Sequence, residues 1–80
     1  MRSIINITLK QDEITIKLNE NATQEEIVNV LKKKMPELKK LYKEEKTPIF
    51  VTGKILKNKE IDEIQELIEK YIDVEIKFDS

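Results

Sequence analysis

Apolar and polar residues alternate one by one in three short stretches of this chain. Ile5, Ile7 and Leu9 interleave with Asn6, Thr8 and Lys10; Ile14, Ile16 and Leu18 with Thr15 and Lys17; Val74, Ile76 and Phe78 with Glu75, Lys77 and Asp79. Successive side chains on a strand point to opposite faces, so each run predicts a strand with one buried face and one face in water. Only Lys10-Gln11-Asp12-Glu13 separates a strand expected from about Ser3 to Leu9 from one expected from Ile14 to Leu18, which predicts a β-hairpin, although the glycine that tight turns favour is absent.

Helical spacing takes over after the connector Asn19-Glu20-Asn21-Ala22. Thr23-Gln24-Glu25-Glu26 has the form of a capping box, in which the threonine hydroxyl accepts an orphan amide and the glutamate reaches back. Ile27, Val28, Leu31 and Met35 follow on one side, and Pro36 is expected to end the helix, because the residue before a proline is pushed toward extended geometry. A short second helical piece is expected from Pro36 to Glu45, carried by Leu38, Leu41 and Tyr42. After Thr47-Pro48 comes a brief buried strand, Ile49-Phe50-Val51-Thr52, ending at the only glycine, Gly53. That glycine is expected in a conformation costly for other residues. Asn58 is expected to cap a last helix whose stripe is Ile61, Ile64, Leu67, Ile68, Tyr71 and Ile72, and the final strand runs from Asp73 to Phe78.

The resulting order is strand, strand, helix, strand, helix, strand, with one extra helical piece. Strands covered on both faces would read as unbroken apolar runs, and only the third approaches that. The pattern therefore predicts an α/β two-layer sandwich: a mixed four-stranded sheet in ββαβαβ order, both helices on one face and the other face open. A ubiquitin-like roll is the alternative, but it has no need of the regular helix from Asn58 to Ile72. The chain shows no repeats, low-complexity stretches or linkers.

Eighty residues make a single domain, and a chain of that size buries only about 60% of its unfolded surface, so one modest core is all it can hold. Cysteine and histidine are both absent. Their absence removes disulfides, thiol nucleophiles, thiolate metal sites, the commonest metal ligand and the usual general base at neutral pH, and it fits a reducing cytoplasm. The apolar runs are too short to span a bilayer, and Met1-Arg2 leads straight toward a strand rather than into a signal segment. The expectation is a cytoplasmic domain that is not an enzyme and carries no cofactor or metal.

The net charge of −1 conceals an uneven distribution. Residues 32–59 hold ten lysines against Glu37, Glu44 and Glu45, whereas residues 60–80 hold eight acids against Lys70 and Lys77. Two solvated, mutually complementary helix faces would explain this. A basic patch that steers an acidic partner would also do so. The acidic pairs Asp12-Glu13, Glu25-Glu26, Glu44-Glu45 and Asp62-Glu63 do not converge as general acid-base work requires. Gly53-Lys54 matches too little of a phosphate loop to count as one. Lys32-Lys33-Lys34 and Lys39-Lys40 are able to meet phosphates, but Tyr71 and Phe78 are expected in the core, which leaves few aromatic platforms for a nucleic acid. On the open face, parity turns Phe50 and Ile4 outward as a small apolar centre ringed by Asn6, Thr8, Lys10, Thr15, Lys17 and Lys77. These eight residues are the candidate partner-binding site.

The hairpin Ile7-Thr8-Leu9-Lys10-Gln11-Asp12-Glu13-Ile14-Thr15-Ile16-Lys17-Leu18, the helix capped at Thr23, and Ile49-Phe50-Val51-Thr52-Gly53-Lys54-Ile55-Leu56 leading into Glu60-Ile61-Asp62-Glu63-Ile64 together resemble the N-terminal domain of the septum site-determining protein MinC. The likeness covers nearly all of the chain. It implies a bacterial cell division inhibitor that binds the tubulin homologue FtsZ and antagonises its polymerisation, restricting septum placement. In that family a C-terminal β-helical domain, expected to be absent from this chain, dimerises and binds the ATPase MinD; the N-terminal domain alone is expected to be monomeric or weakly dimeric. Relatives often carry a lysine-glycine pair late in the first strand and a glycine in the hairpin turn. Here those positions hold Thr8, Leu9 and Glu13, and the nearest base is Lys10, whereas Gly53, Lys54, Leu56 and Glu60 follow the family pattern. A small RNA-binding module using residues 32–46, or a generic protein-interaction domain, is the alternative function.

Overall fold

The computed structural model describes residues 3–11 and 13–79. The expectations for Met1-Arg2, for the hairpin turn type and for the Asp12-Glu13 pair lie outside the described residues. The chain forms β1 (Ile5–Lys10), β2 (Glu13–Leu18), α1 (Gln24–Glu45), β3 (Ile49–Thr52), α2 (Asn58–Glu69) and β4 (Ile76–Phe78). Strand order across the sheet is β1-β2-β3-β4, with β1 antiparallel to β2 and the other two pairings parallel.

That order explains why one sheet face stays bare. Both crossovers, through α1 and through α2, step the same way across the sheet, and right-handed connections that step the same way put their helices on the same side. One cluster results, with Ile14, Ile16, Leu18, Ile49, Val51 and Ile76 from the sheet packed against Ile27, Leu31, Met35, Leu38, Ile64, Ile68 and Ile72. The fold is a two-layer α/β sandwich with an open sheet face. A helix joining two parallel neighbours, β3 and β4, fits the sandwich and leaves no role for a roll.

α1 begins as its capping box dictates. The Glu26 amide donates to Thr23 Oγ1 at 3.1 Å, and the Thr23 amide donates to Glu26 Oε1 at 2.8 Å. The expected break at Pro36 does not occur: the helix is continuous through Glu45, and there is no separate second piece. Proline removes the hydrogen bond to the Lys32 carbonyl and costs roughly 3 kcal/mol inside a helix. Pro36, Lys32, Lys33 and Lys40 are all exposed, so water can serve the freed carbonyl on that flank. On the opposite flank Leu31, Met35 and Leu38 are fully buried, each burial stabilising by about 1.5–3 kcal/mol. A helix ending at Met35 would unseat Leu38, so packing outweighs the proline. Lys46 closes α1 in the left-handed region (φ 53°), its amide bonded to the Tyr42 carbonyl at 2.7 Å.

The last third of the chain departs from expectation in three places. Lys57, not Asn58, is the cap of α2: it is extended, and its amide donates to Glu60 Oε1 at 2.8 Å, so the glutamate supplies the reach-back half of a capping box although lysine has no acceptor to offer in return. The helix ends at Glu69 and not at Ile72. A turn in which the Tyr71 and Ile72 amides both bond the Ile68 carbonyl, at 3.0 and 2.9 Å, still buries Ile72 but swings Tyr71 out to 49% exposure, contrary to its expected place in the core. β4 has three residues in place of six: only Ile76, Lys77 and Phe78 pair with β3, opposite Ile49, Phe50 and Val51. The alternation nevertheless holds, with Ile76 buried, Val74 and Phe78 packed half-buried on the core, and Glu75 and Lys77 exposed.

Candidate functional site

Strand register sets the open face. Thr8 lies opposite Thr15, Thr15 opposite Phe50, and Phe50 opposite Lys77, so one residue from each strand falls on a single row across the sheet. In the next row Asn6 faces Lys17 and Lys17 faces Thr52, whose hydroxyl donates to Asp79 Oδ2 at 3.1 Å. At the hairpin end Lys10 faces Glu13. Parity therefore brings together seven of the eight expected site residues, from Asn6 through Lys77.

Ile4 is the exception. It precedes β1 in a bend, where strand parity no longer applies, and packs half-buried against the core while its carbonyl accepts the Asn19 amide at 2.9 Å. Phe50 alone is thus the apolar centre. It is half-buried and stands outside the core cluster, and Lys77 Nζ sits 5.8 Å from its ring centroid. A lysine at that distance is attracted to the negative ring face, worth about 0.5–1 kcal/mol at an exposed site. The pair keeps a flat aromatic surface and a cation side by side.

Three lysines, Lys10, Lys17 and Lys77, share this face with Glu13 and Asp79. The surface is mixed in sign rather than basic. Thr52, Asp79 and Glu13 were not among the expected site residues, although the parity that turns Phe50 outward places Thr52 beside it.

Thr15 lies deeper than expected, at 8% exposure between Thr8 and Phe50, and among the described residues its hydroxyl has no hydrogen-bond partner. A buried hydroxyl left unpaired costs about 1–3 kcal/mol. Thr15→Val keeps the shape and the β-branch, and is expected to raise unfolding free energy by roughly 1 kcal/mol in urea titration. Unchanged or lowered stability would mean that the hydroxyl is satisfied by solvent.

The chemistry available elsewhere is limited. Lys54 Nζ, which follows Gly53, donates to the Ala22 carbonyl at 2.5 Å and ties the loop after β3 to the connector before α1. It acts as a clasp between the two segments. Gln24 Nε2 bridges the helices through Glu63 Oε1 at 2.8 Å and the Glu60 carbonyl at 3.3 Å. Among the described residues no three acidic side chains gather in a metal-binding group, and no helix is long and apolar enough to cross a membrane. Lys32, Lys33, Lys39, Lys40 and Lys43 are solvated along α1, as are Asp62, Glu63, Glu66 and Glu69 on α2. No family model, curated protein or solved structure matches this chain.

Proposed function

We propose that this chain is a non-enzymatic docking domain that works through its open sheet face, and that its partner is FtsZ, whose polymerisation it antagonises in the bacterial cytoplasm. The observation that carries the docking reading is the row Thr8, Thr15, Phe50 and Lys77, an aromatic-cation pair set among short polar side chains and, among the described residues, covered by no helix or strand. Aromatic anchors ringed by polar residues are how protein interfaces concentrate binding energy. The choice of FtsZ rests on the resemblance of the hairpin and of the segment from Ile49 to Ile64 to the N-terminal domain of MinC. Inhibition then follows from differential affinity: a domain that binds a subunit or filament end better than the intact polymer shifts the assembly equilibrium without covalent chemistry.

Charge reversal tests the face. Lys10→Glu would oppose Glu13 across the hairpin, so Lys17→Glu with Lys77→Glu is the cleaner pair. The control, Lys33→Glu with Lys40→Glu, makes the same change in net charge on the exposed flank of α1. In light scattering of FtsZ polymers at moderate salt, the sheet-face pair is expected to weaken inhibition by roughly tenfold or more and the helix pair to leave it nearly intact. Equal losses would point to diffuse electrostatics. Loss in the helix pair alone would move the site to α1, and no inhibition by the parent domain would remove FtsZ as the partner.

A further inference from the structure

The two edges of the sheet are built differently. β4 has three residues, and the charged side chains Glu75, Lys77 and Asp79 along it are exposed. Short, charged edges resist the addition of another strand. β1, the opposite edge, has six residues, Ile-Asn-Ile-Thr-Leu-Lys, with no proline or glycine and a single charge at its last position. Natural sheets seldom leave an edge of that length and composition unguarded.

Hydrogen-bond directions show which groups this edge presents. Asn19 donates to the Ile4 carbonyl at 2.9 Å, continuing the β1–β2 register, whereas Ile14 donates away from β1, to the Pro48 carbonyl beside β3, also at 2.9 Å. Alternation along an antiparallel ladder then turns the backbone groups of Asn6, Thr8 and Lys10 inward to β2, and those of Ile5, Ile7 and Leu9 outward. Ser3 Oγ donates to the Ile5 carbonyl at 3.2 Å, and a carbonyl has a second lone pair to offer. The same three residues carry the apolar side of the strand: Ile5 is buried, Ile7 half-buried and Leu9 45% exposed.

We propose that β1 is a self-pairing edge, at which two copies of this chain join antiparallel about a two-fold axis through Ile7 to make one continuous sheet. In that register Ile7 meets Ile7 of the second copy, Ile5 meets Leu9, and Asn6 meets Thr8. Every outward-facing residue then exchanges bonds with its counterpart, about six between the chains. Leu9 gains cover from the second copy's Ile5, and Asn6 and Thr8 are free to hydrogen-bond on the open face. The two Lys10 side chains fall at opposite ends of the pair, so no like charges meet. The contact is isologous and closes at two copies.

A strand pair of this length buries less than the roughly 1,200 Å² of a standard interface, so the dimer is reversible and forms as concentration rises. The axis stands perpendicular to the sheet and leaves both open faces on one side, each with its Phe50-Lys77 pair. Self-pairing uses the β1 edge alone and is independent of what the open face binds.

Amide exchange followed by NMR across a concentration series provides the test, with sedimentation equilibrium for mass. Ile7 and Leu9 amides are expected to gain protection as the dimer forms, while the Thr8 amide, already bonded to β2, is unchanged. Leu9→Lys, at an exposed position, is expected to raise the dimer dissociation constant tenfold or more with the monomer fold intact. Because the chain has no cysteine, Ile7→Cys places one thiol on the axis, where an inter-strand Cα separation of about 5.5 Å suits a disulfide. Mild oxidation is expected to link Ile7→Cys and to link Thr8→Cys poorly. A monomer at every concentration, a dimer indifferent to Leu9→Lys, or equal cross-linking of both cysteine variants would each overturn the proposal.

Discussion

Gly53→Ala is expected to come close to unfolding this domain. Gly53 has φ 98°, where side chains are strained, and an added Cβ would stand 2.3 Å from the Leu18 carbonyl oxygen and 2.9 Å from the Leu18 nitrogen. Both are backbone atoms at the end of β2, the most buried strand, so neither can yield as a flexible side chain would. The strain alone costs about 1–3 kcal/mol, and relieving the contact means moving either the end of β2 or the loop that holds Lys54 against the Ala22 carbonyl. A loss of about 3 kcal/mol or more takes most of the roughly 5 kcal/mol expected of so small a domain. In urea the midpoint should fall by ~2–3 M. A shift below about 0.5 M, measured with the same slope, would show that the turn relaxes without strain.

Pro36→Ala is the largest gain expected from one residue. The new amide can donate to the Lys32 carbonyl, and the clash between the proline ring and that carbonyl disappears. Alanine is about 3 kcal/mol better than proline within a helix, less the ~0.4–1 kcal/mol by which proline stiffens the unfolded chain, so a net gain near 2 kcal/mol is expected. Pro36 is exposed, and no core contact is given up in the exchange. For a domain of this size such a gain corresponds to a thermal midpoint higher by about 10 °C. A lowered midpoint would mean that a bend at Pro36 is what seats Met35 and Leu38 beside each other in the core.

The open face and the β1 edge lie on different sides of the molecule and are separable by experiment. The open face is a matter of side chains on even positions of β1 and odd positions of β2, of Phe50 and Thr52 on β3, and of Lys77 and Asp79 beyond it. The β1 edge is a matter of backbone groups on Ile5, Ile7 and Leu9. Leu9→Lys therefore leaves the row from Thr8 to Lys77 untouched, and Lys17→Glu with Lys77→Glu leaves the edge untouched. Loss of partner binding together with loss of dimerisation in either variant would mean that the two surfaces are linked.

Alternation and helical spacing were sufficient to place all four strands, to locate the starts of both helices to within a residue, and to turn Phe50, Thr8, Lys17 and Lys77 outward. These are consequences of backbone geometry: side chains on a strand must alternate, and an apolar stripe must find a core. What local rules decided wrongly was decided by packing. Pro36 is read as a stop because its effect on residue 35 is local, but Leu38 needed burial and water could serve the freed carbonyl. Tyr71 fits the stripe of α2 until the helix ends at Glu69, and Ile4 obeys parity only if the strand begins before it. Strand order, and with it the rows that set Thr15 beside Phe50 and Phe50 beside Lys77, joins residues far apart in the chain that no local pattern connects. Only the tertiary structure decides them, because hydrogen bonding between strands is satisfied by any partner, and the choice among partners is made by how the two helices close over a single core.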